Sequence, residues 1–298
     1  MALLRSYLFA PGSDEKLLRK AFEAGADAVV LDLEDAVPVA EKARARALVA
    51  KAVEGRPPGG PPVYVRVNGV ESDLWREDVE AVVGPALAGV RLPKAEASDQ
   101  VRRLDEALSR AEERSGTPVG SVAVTCTIET AKGALAAREL AASPRVRNLS
   151  FGAADFARDV GADPGEDEAE TLHARSALVL ASRAAGIDPP IAPVHTRLSD
   201  DEGLRRTTEA ARRLGYFGRS LIHPRQIAIV HDVFTPRAEQ VARAVELIEA
   251  YDRALARGSG GAVTTGGCFV DLAVVRRARA IVELARSLGS RPRKGTNA

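Results

Sequence analysis

Glu129 and Asp155 are the residues whose types and spacing suggest chemistry first. Each follows an apolar, strand-like run: Val122–Ile128 ends at Glu129, and Val146–Phe151 leads through Gly152, Ala153 and Ala154 to Asp155. Thr130–Ala142 between them is rich in Ala and Leu and predicts a helix. In such a β-α-β unit the strands run parallel, so both carboxylates leave the sheet at the same end. Two acids at adjacent strand ends can share one hard cation, and oxygen-only ligation points to Mg²⁺. A second reading makes one of them a helix N-cap, since both precede helix-like segments.

Three further groups join them. Glu34 and Asp35 end an apolar run at Ala28–Leu33 and form a second acidic pair, or else a solvated loop pair. Arg66 lies near the end of Val63–Asn68; an inward guanidinium must meet carboxylates of the protein or of a ligand, Glu34 or Asp35 being the internal choice. His223 precedes Pro224 at the end of Phe217–Ile222 and reads as structural. Alternation sharpens the picture. Thr125, Thr127 and Glu129 share a face, as do Tyr64, Arg66 and Asn68, Asp32 and Glu34, and Asn148, Ser150 and Gly152. Four strands thus carry a polar face, which in a helix-covered barrel points inward.

The elements that must position these residues alternate along the chain. Strands are expected at Ser6–Ala10, Ala28–Leu33, Val63–Asn68, Gly89–Leu92, Val122–Ile128, Val146–Phe151, Ile191–Val194 and Phe217–Ile222. Helices are expected between them, the first N-capped by Ser13 and the second opened by Pro38, and the stretch Gly55–Pro62 reads as a surface loop. Eight strand-then-helix units predict an α/β fold, a (β/α)8 TIM barrel, over a doubly wound sheet; no GxGxxG follows the first strand. Residues 1–235 are read as the catalytic barrel and 236–298 as a C-terminal helical extension. That extension holds helices at Pro236–Arg257 and Asp271–Leu288, a glycine-rich lid or connector at Gly258–Gly267, and a basic tail, SRPRKGTNA.

Composition bounds the function. Lys and Arg number 42 against 41 Asp and Glu, a balance that speaks against nucleic acid. Cys126 and Cys268 form no metal-ligand cluster, and Cys126 reads as a buried thiol. Aromatics are only 4%, so the core must be Ala, Val, Leu and Ile. The N-terminus is charged too early for a signal peptide and no run is long enough for a membrane helix, so a cytoplasmic protein is expected.

Seven motifs fall in order along the chain: RSYLFAPGS (5–13), LDLEDAV (31–37), VRVNG (65–69), RLPKAE (91–96), TIET (127–130), FGAADFARDVG (151–161) and IHPRQI (222–227). Together they resemble the HpcH/HpaI aldolase–citrate lyase β-subunit family, in its CitE-like branch. The resemblance implies a TIM barrel, Mg²⁺, and cleavage or formation of a C–C bond beside a CoA thioester such as citryl-, malyl- or citramalyl-CoA. The 2-oxoacid would be oxaloacetate, glyoxylate or pyruvate. By position, Glu129 and Asp155 look like the Mg²⁺ ligands. Arg66 looks like the arginine gripping substrate oxygens, with Glu129, Gly152, Ala153 and Ala154 beside it. Glu34 and Asp35 look like the buttressing acids. The family's C-terminal motif usually reads D-G-x-(M/V)-(I/V)-D; here it is GGCFVD (266–271), with Gly266 in place of the first acid and Asp271 matching the last. In related lyases that acid enters a neighbour's site, so a homo-oligomer is expected, a trimer or hexamer. Two alternatives remain at this stage: a class II aldolase acting on a CoA-free 2-oxoacid aldol, and a citrate lyase β subunit active only in a complex.

Overall fold

Short apolar strands alternate with amphipathic helices along most of the chain, and the computed structural model, which describes residues 3–264, 267 and 269–289, winds them into a closed barrel. In chain order the first half comprises β1 (Ser6–Pro11), α1 (Glu15–Glu23), β2 (Ala28–Asp32), α2 (Lys42–Glu54), β3 (Val63–Arg66), α3 (Trp75–Val82), β4 (Leu87–Leu92) and α4 (Ser98–Ser115). Then come β5 (Ala123–Ile128), α5 (Ala131–Leu135), α6 (Ala137–Ala141), β6 (Val146–Phe151), α7 (Ala153–Val160), α8 (Leu172–Ala185), α9 (Asp201–Leu214), β7 (Arg219–Leu221) and α10 (Gln226–Phe234). The last part holds α11 (Ala238–Leu255), β8 (Ala262–Val263), β9 (Phe269–Val270) and α12 (Leu272–Gly289). No helix among the described residues is long and apolar enough to cross a membrane.

The parallel strands lie in the order β6-β5-β4-β3-β2-β1-β7. The ring closes through two residues. Ile191 bridges to Ser150 of β6 and Ala192 to Arg219 of β7, both parallel. The expected strand Ile191–Val194 is no longer than this because Pro190 and Pro193 flank the pair and have no N–H for a ladder. Inside the barrel, Tyr7, Ala28, Val30, Tyr64 and Ile191 pack as one cluster, with the Tyr7 and Tyr64 rings edge-on at 5.8 Å. Outside it, Val29, Leu31, Val65, Val90, Val124 and Cys126 are fully buried beneath the helices.

Several local expectations change. Asp14, not Ser13, caps α1, its Oδ1 accepting from the Leu17 N–H at 3.0 Å. Pro38 precedes a 3-10 turn, Val39–Glu41, and α2 starts only at Lys42. The single helix over Thr130–Ala142 breaks at Ala136 (ψ 0°) into α5 and α6. The α5 segment is pulled onto the end of β4: an added Cβ at Gly133 would lie 2.5 Å from the Ala95 carbonyl. The helix-like segment at Asp155 is α7, closed by Gly161 in the left-handed region (φ 67°), and Asp155 lies in its first turn.

The chain divides into two compact units, Leu3–His231 and the residues from Asp232 onward. In the second, α11 and α12 pack together and Tyr251, Val270 and Val275 form the core. The glycine-rich stretch contains β8, which pairs antiparallel with β9 just beyond it, so it is more than a bare connector. Gly266, Cys268 and the basic tail lie outside the described residues.

Candidate active site

The predicted polar faces do point into the barrel, and register assembles them. Asp32 pairs with Arg66 across β2–β3, and Arg66 with Arg91 across β3–β4. Arg66 donates from Nε and Nη2 to the two Asp32 oxygens, both at 2.6 Å, a bidentate fork. Its Nη1 lies 2.9 Å from Glu34 Oε2, an ion pair without hydrogen-bond alignment, since that oxygen has no hydrogen-bond partner. Burial alone would lower the proton affinity of Arg66, but the Asp32 hydrogen bonds and charge, with Glu34 and Glu129, reverse this and raise it. The internal partners of Arg66 are therefore Asp32 and Glu34. Asp35 is mostly exposed, and its ion-pair partner among the described residues is Lys94, at 3.7 Å.

Lys94 is the site residue the sequence reading passed over. It follows β4 with φ 49°, a left-handed conformation rare outside glycine. That turn aims its backbone N–H at Glu129 Oε2, 3.0 Å away, while its Nζ makes a short contact with Glu34 Oε1. Behind Glu34, the buried Lys42 ammonium donates to the carbonyls of Leu33 (2.5 Å) and Glu34 (2.7 Å) and to Asn68 Oδ1 (2.8 Å). Asn68 in turn donates to Asp78 Oδ2 at 2.6 Å, and Arg46 holds the other oxygen of Asp78 at 2.9 Å. The acidic loop after β2 is thus pinned from below.

Glu129 is 4% exposed, and the Lys94 N–H is its hydrogen-bond partner among the described residues. Burial, with the like charge of Glu34, pushes its carboxyl up to about 7. It does not cap α5; Thr130 does, accepting from the Gly133 N–H at 3.1 Å. Gly152 faces it directly: an added Cβ there would sit 2.7 Å from Glu129 Oε1. Gly152 also starts α7, whose first turn carries Ala153, Ala154 and Asp155, so the glycine joins the two candidate acids. Asp155 is partly exposed and pairs with Arg158 at 2.6 Å.

A hard divalent cation fits this donor set. Glu129 is a desolvated carboxylate short of partners, Gly152 leaves room against it, and Asp155 is near the surface on the adjoining turn. Among the described residues no three His, Cys, Asp or Glu form a closed cage. One or two carboxylates plus water and substrate oxygens is the habit of Mg²⁺. Of the other predicted residues, His223 is exposed on the loop after β7, where its Nδ1 accepts from the Arg225 N–H at 3.2 Å. Asp271 lies in the second unit, where its Oδ1 accepts from the Val274 N–H at 3.0 Å and caps α12.

Known proteins resemble this chain in sequence and fold. The sequence profile of the HpcH/HpaI aldolase/citrate lyase family matches residues 5–224. The chain is 36% identical to the citrate lyase subunit beta of Leuconostoc mesenteroides subsp. cremoris over 96% of this chain and 94% of that one. It is 35% identical to an L-malyl-CoA/beta-methylmalyl-CoA lyase of Cereibacter sphaeroides, with 96% of each covered. Among solved structures, the CitE protein of Mycobacterium tuberculosis in complex with magnesium, acetoacetate and coenzyme A superposes with a TM-score of 0.76 at 31% identity, covering 96% of this chain and 98% of that one. With a matching profile over most of its length and full-length relatives at this identity, the chain belongs to the HpcH/HpaI aldolase/citrate lyase family, in its CitE-like branch.

Proposed function

We propose that this carbon–carbon lyase uses Mg²⁺ to cleave, or form, a 3-hydroxyacyl-CoA thioester of the citryl, malyl or citramalyl type, yielding a 2-oxoacid and an acyl-CoA. The observation that carries the reading is the Glu129 carboxylate, buried at a strand end with one N–H partner and a near-neutral proton affinity. Such a group favours a bound cation. The CoA part rests on the malyl-CoA lyase relative and on the CitE complex holding coenzyme A.

In this reading Glu129 and Asp155 hold the ion, with Gly152, Ala153 and Ala154 shaping the floor for the oxoacid. Mg²⁺ when bound supplies Lewis acidity toward the substrate's carboxylate and adjacent oxygen. Arg66, fixed by Asp32, presents Nη1 to oxygen that gains charge as the C–C bond breaks. Glu34, Asp35 and Lys94 fix the neighbouring loops and the local charge. Asp271 of a neighbouring copy passes the proton to or from the acyl carbon. The working form is then a homo-oligomer, a trimer or hexamer, acting in the cytoplasm, with residues 1–235 as the catalytic part and 236–298 as the extension.

Purified protein with Mg²⁺ and a panel of citryl-, malyl- and citramalyl-CoA, with release of 2-oxoacid as readout, tests the function. No release from any thioester, with cleavage of a CoA-free aldol instead, overturns it. The trans role of Asp271 has its own test: Asp271→Ala and Glu129→Ala, each inactive, regain activity when co-assembled. Mixed oligomers confirmed by mass but inactive would place Asp271 outside the chemistry.

A further inference from the structure

Inside the barrel, Arg91 forms no ion pair among the described residues. Arg91 projects from β4 and is 1% exposed. Its Nη1 donates to Ser220 Oγ at 3.0 Å, while Nε and Nη2 meet no acceptor among the described residues. Burial lowers its guanidinium to about 10 despite the rings and acids around it. A fold gains little from such a charge, since an apolar residue of the same volume is commonly neutral or stabilising in its place. Retention of an uncompensated buried charge points to what it does for its neighbours.

Those neighbours lead to the active site. The Arg91 guanidinium lies over the rings of Tyr7 and Phe9, at 5.1 and 5.2 Å from their centroids. The Phe9 ring also carries the guanidinium of Arg66, at 5.3 Å. One ring therefore bears two cations, each attracted by its π-electrons. The other ring under Arg91 is itself held: Asn148 Nδ2 approaches the Tyr7 hydroxyl at 3.4 Å, and Thr125 Oγ1 donates to Asn148 Oδ1 at 2.7 Å. Arg66 and Arg91 are register partners, so their like charges oppose each other, and among the described residues it is Arg66 that forms ion pairs, with Asp32 and Glu34.

We propose that Arg91 is a positioning residue for Arg66. It clamps the Phe9 ring on which the Arg66 guanidinium rests, and its charge drives Arg66 onto Asp32 and Glu34. The consequence for turnover rests on the lyase reading above; the clamp itself does not.

Arg91→Met keeps the length of the side chain and removes the charge, and three measurements read it. Hydrogen exchange of the Arg66 Nε–H, observed by ¹⁵N NMR and assigned by its loss in Arg66→Lys, should quicken about 10-fold. The kcat should fall about 10- to 100-fold, the usual cost of removing a supporting contact, with Mg²⁺ affinity unchanged. The thermal midpoint should hold or rise, which a merely structural residue would not allow. In the Arg66→Lys background the same change should add nothing. Unchanged exchange overturns the proposal whatever the activity, and faster exchange with unchanged kcat overturns its functional half. If the wild type cleaves no thioester while exchange still responds, the lyase reading fails and the clamp stands. Should the methionine variant not fold, Arg91→Lys, which keeps charge and loses the flat stack, carries the same exchange test.

Discussion

Two buried carboxylates at opposite ends of the barrel have opposite proton affinities. Asp27, just before β2, is held by Arg5 through Nε (2.9 Å), Nη2 (2.8 Å) and the backbone N–H (2.9 Å). Its own N–H donates to Ser6 Oγ at 2.9 Å, which meets His231 Nε2 at 2.8 Å. Burial would raise Asp27, but the Arg5 hydrogen bonds and charge more than reverse this and bring it down to about 2. Glu129, after β5, is raised by burial to about 7, because a single N–H and distant cations do not offset it. Burial pushes both acids the same way; the supply of partners decides the outcome. The N-terminal end is satisfied, whereas the C-terminal end is left short, the condition expected where the proposed chemistry takes place.

The comparison breaks most visibly at Glu129. Glu129→Gln should lower kcat/KM by at least about 10³-fold, on the scale of lost electrostatic stabilisation in a dry site, and weaken Mg²⁺ binding in calorimetry. The metal-free wild type should also lose stability as pH rises from 4.5 through about 7, because the folded state holds this proton more tightly than the unfolded chain. The glutamine variant should lack that slope in thermal melts, and Mg²⁺ should flatten it in the wild type. Next, Arg66→Lys should cost about 10²-fold in kcat/KM, nearly as much as Arg66→Ala, since a point charge cannot replace a fork bonded to both Asp32 oxygens. Wild-type kinetics in the lysine variant would remove Arg66 from the site.

At the other end, Asp27→Asn should leave kcat near wild type and reduce stability at neutral pH by about 2 kcal/mol. Its folded value lies below the ordinary 3.8, so this stability is present above that pH and disappears as pH falls toward about 2. Urea melts of both proteins should therefore converge in acid, and a constant gap would sink the assignment. The mildest change is Gly152→Ala, whose methyl would press on Glu129 Oε1; about a 10-fold loss of kcat/KM is expected, the scale of a displaced ligand. Full activity there would mean that Glu129 does not need the space.

Alternation along the strands was enough to turn Asp32, Glu34, Arg66, Thr125 and Glu129 into the barrel, because a two-residue period leaves one choice of face once the other face is apolar. It could not find Lys94, whose role depends on a left-handed backbone that no propensity favours for lysine. Nor could it separate Asp32 from Asp35 as the partner of Arg66; register across β2–β3 makes that choice. The start of α7 is not legible in the sequence, because the helix is a bare two turns with Phe156 and Ala157 buried to mark a face. The break at Ala136 arises from docking, where Gly133 meets the Ala95 carbonyl, and a run of Ala and Leu carries no trace of it.

At Ile191 and Ala192 the closure between β6 and β7 is made by backbone hydrogen bonds from Phe151 and Ser220 to the carbonyls of these two residues and from their N–H groups to Leu149 and Gly218, with Asp188 to Arg147 and Phe217 to Pro190 just before. Prolines on both sides prevent any lengthening of this stave. The cylinder therefore has a seam, where the fewest ladder residues hold the wall. Breathing of the barrel is expected to begin at this short stave, with the Ile191 and Ala192 amides exchanging with solvent before those of β2 and β3 in a hydrogen-exchange experiment.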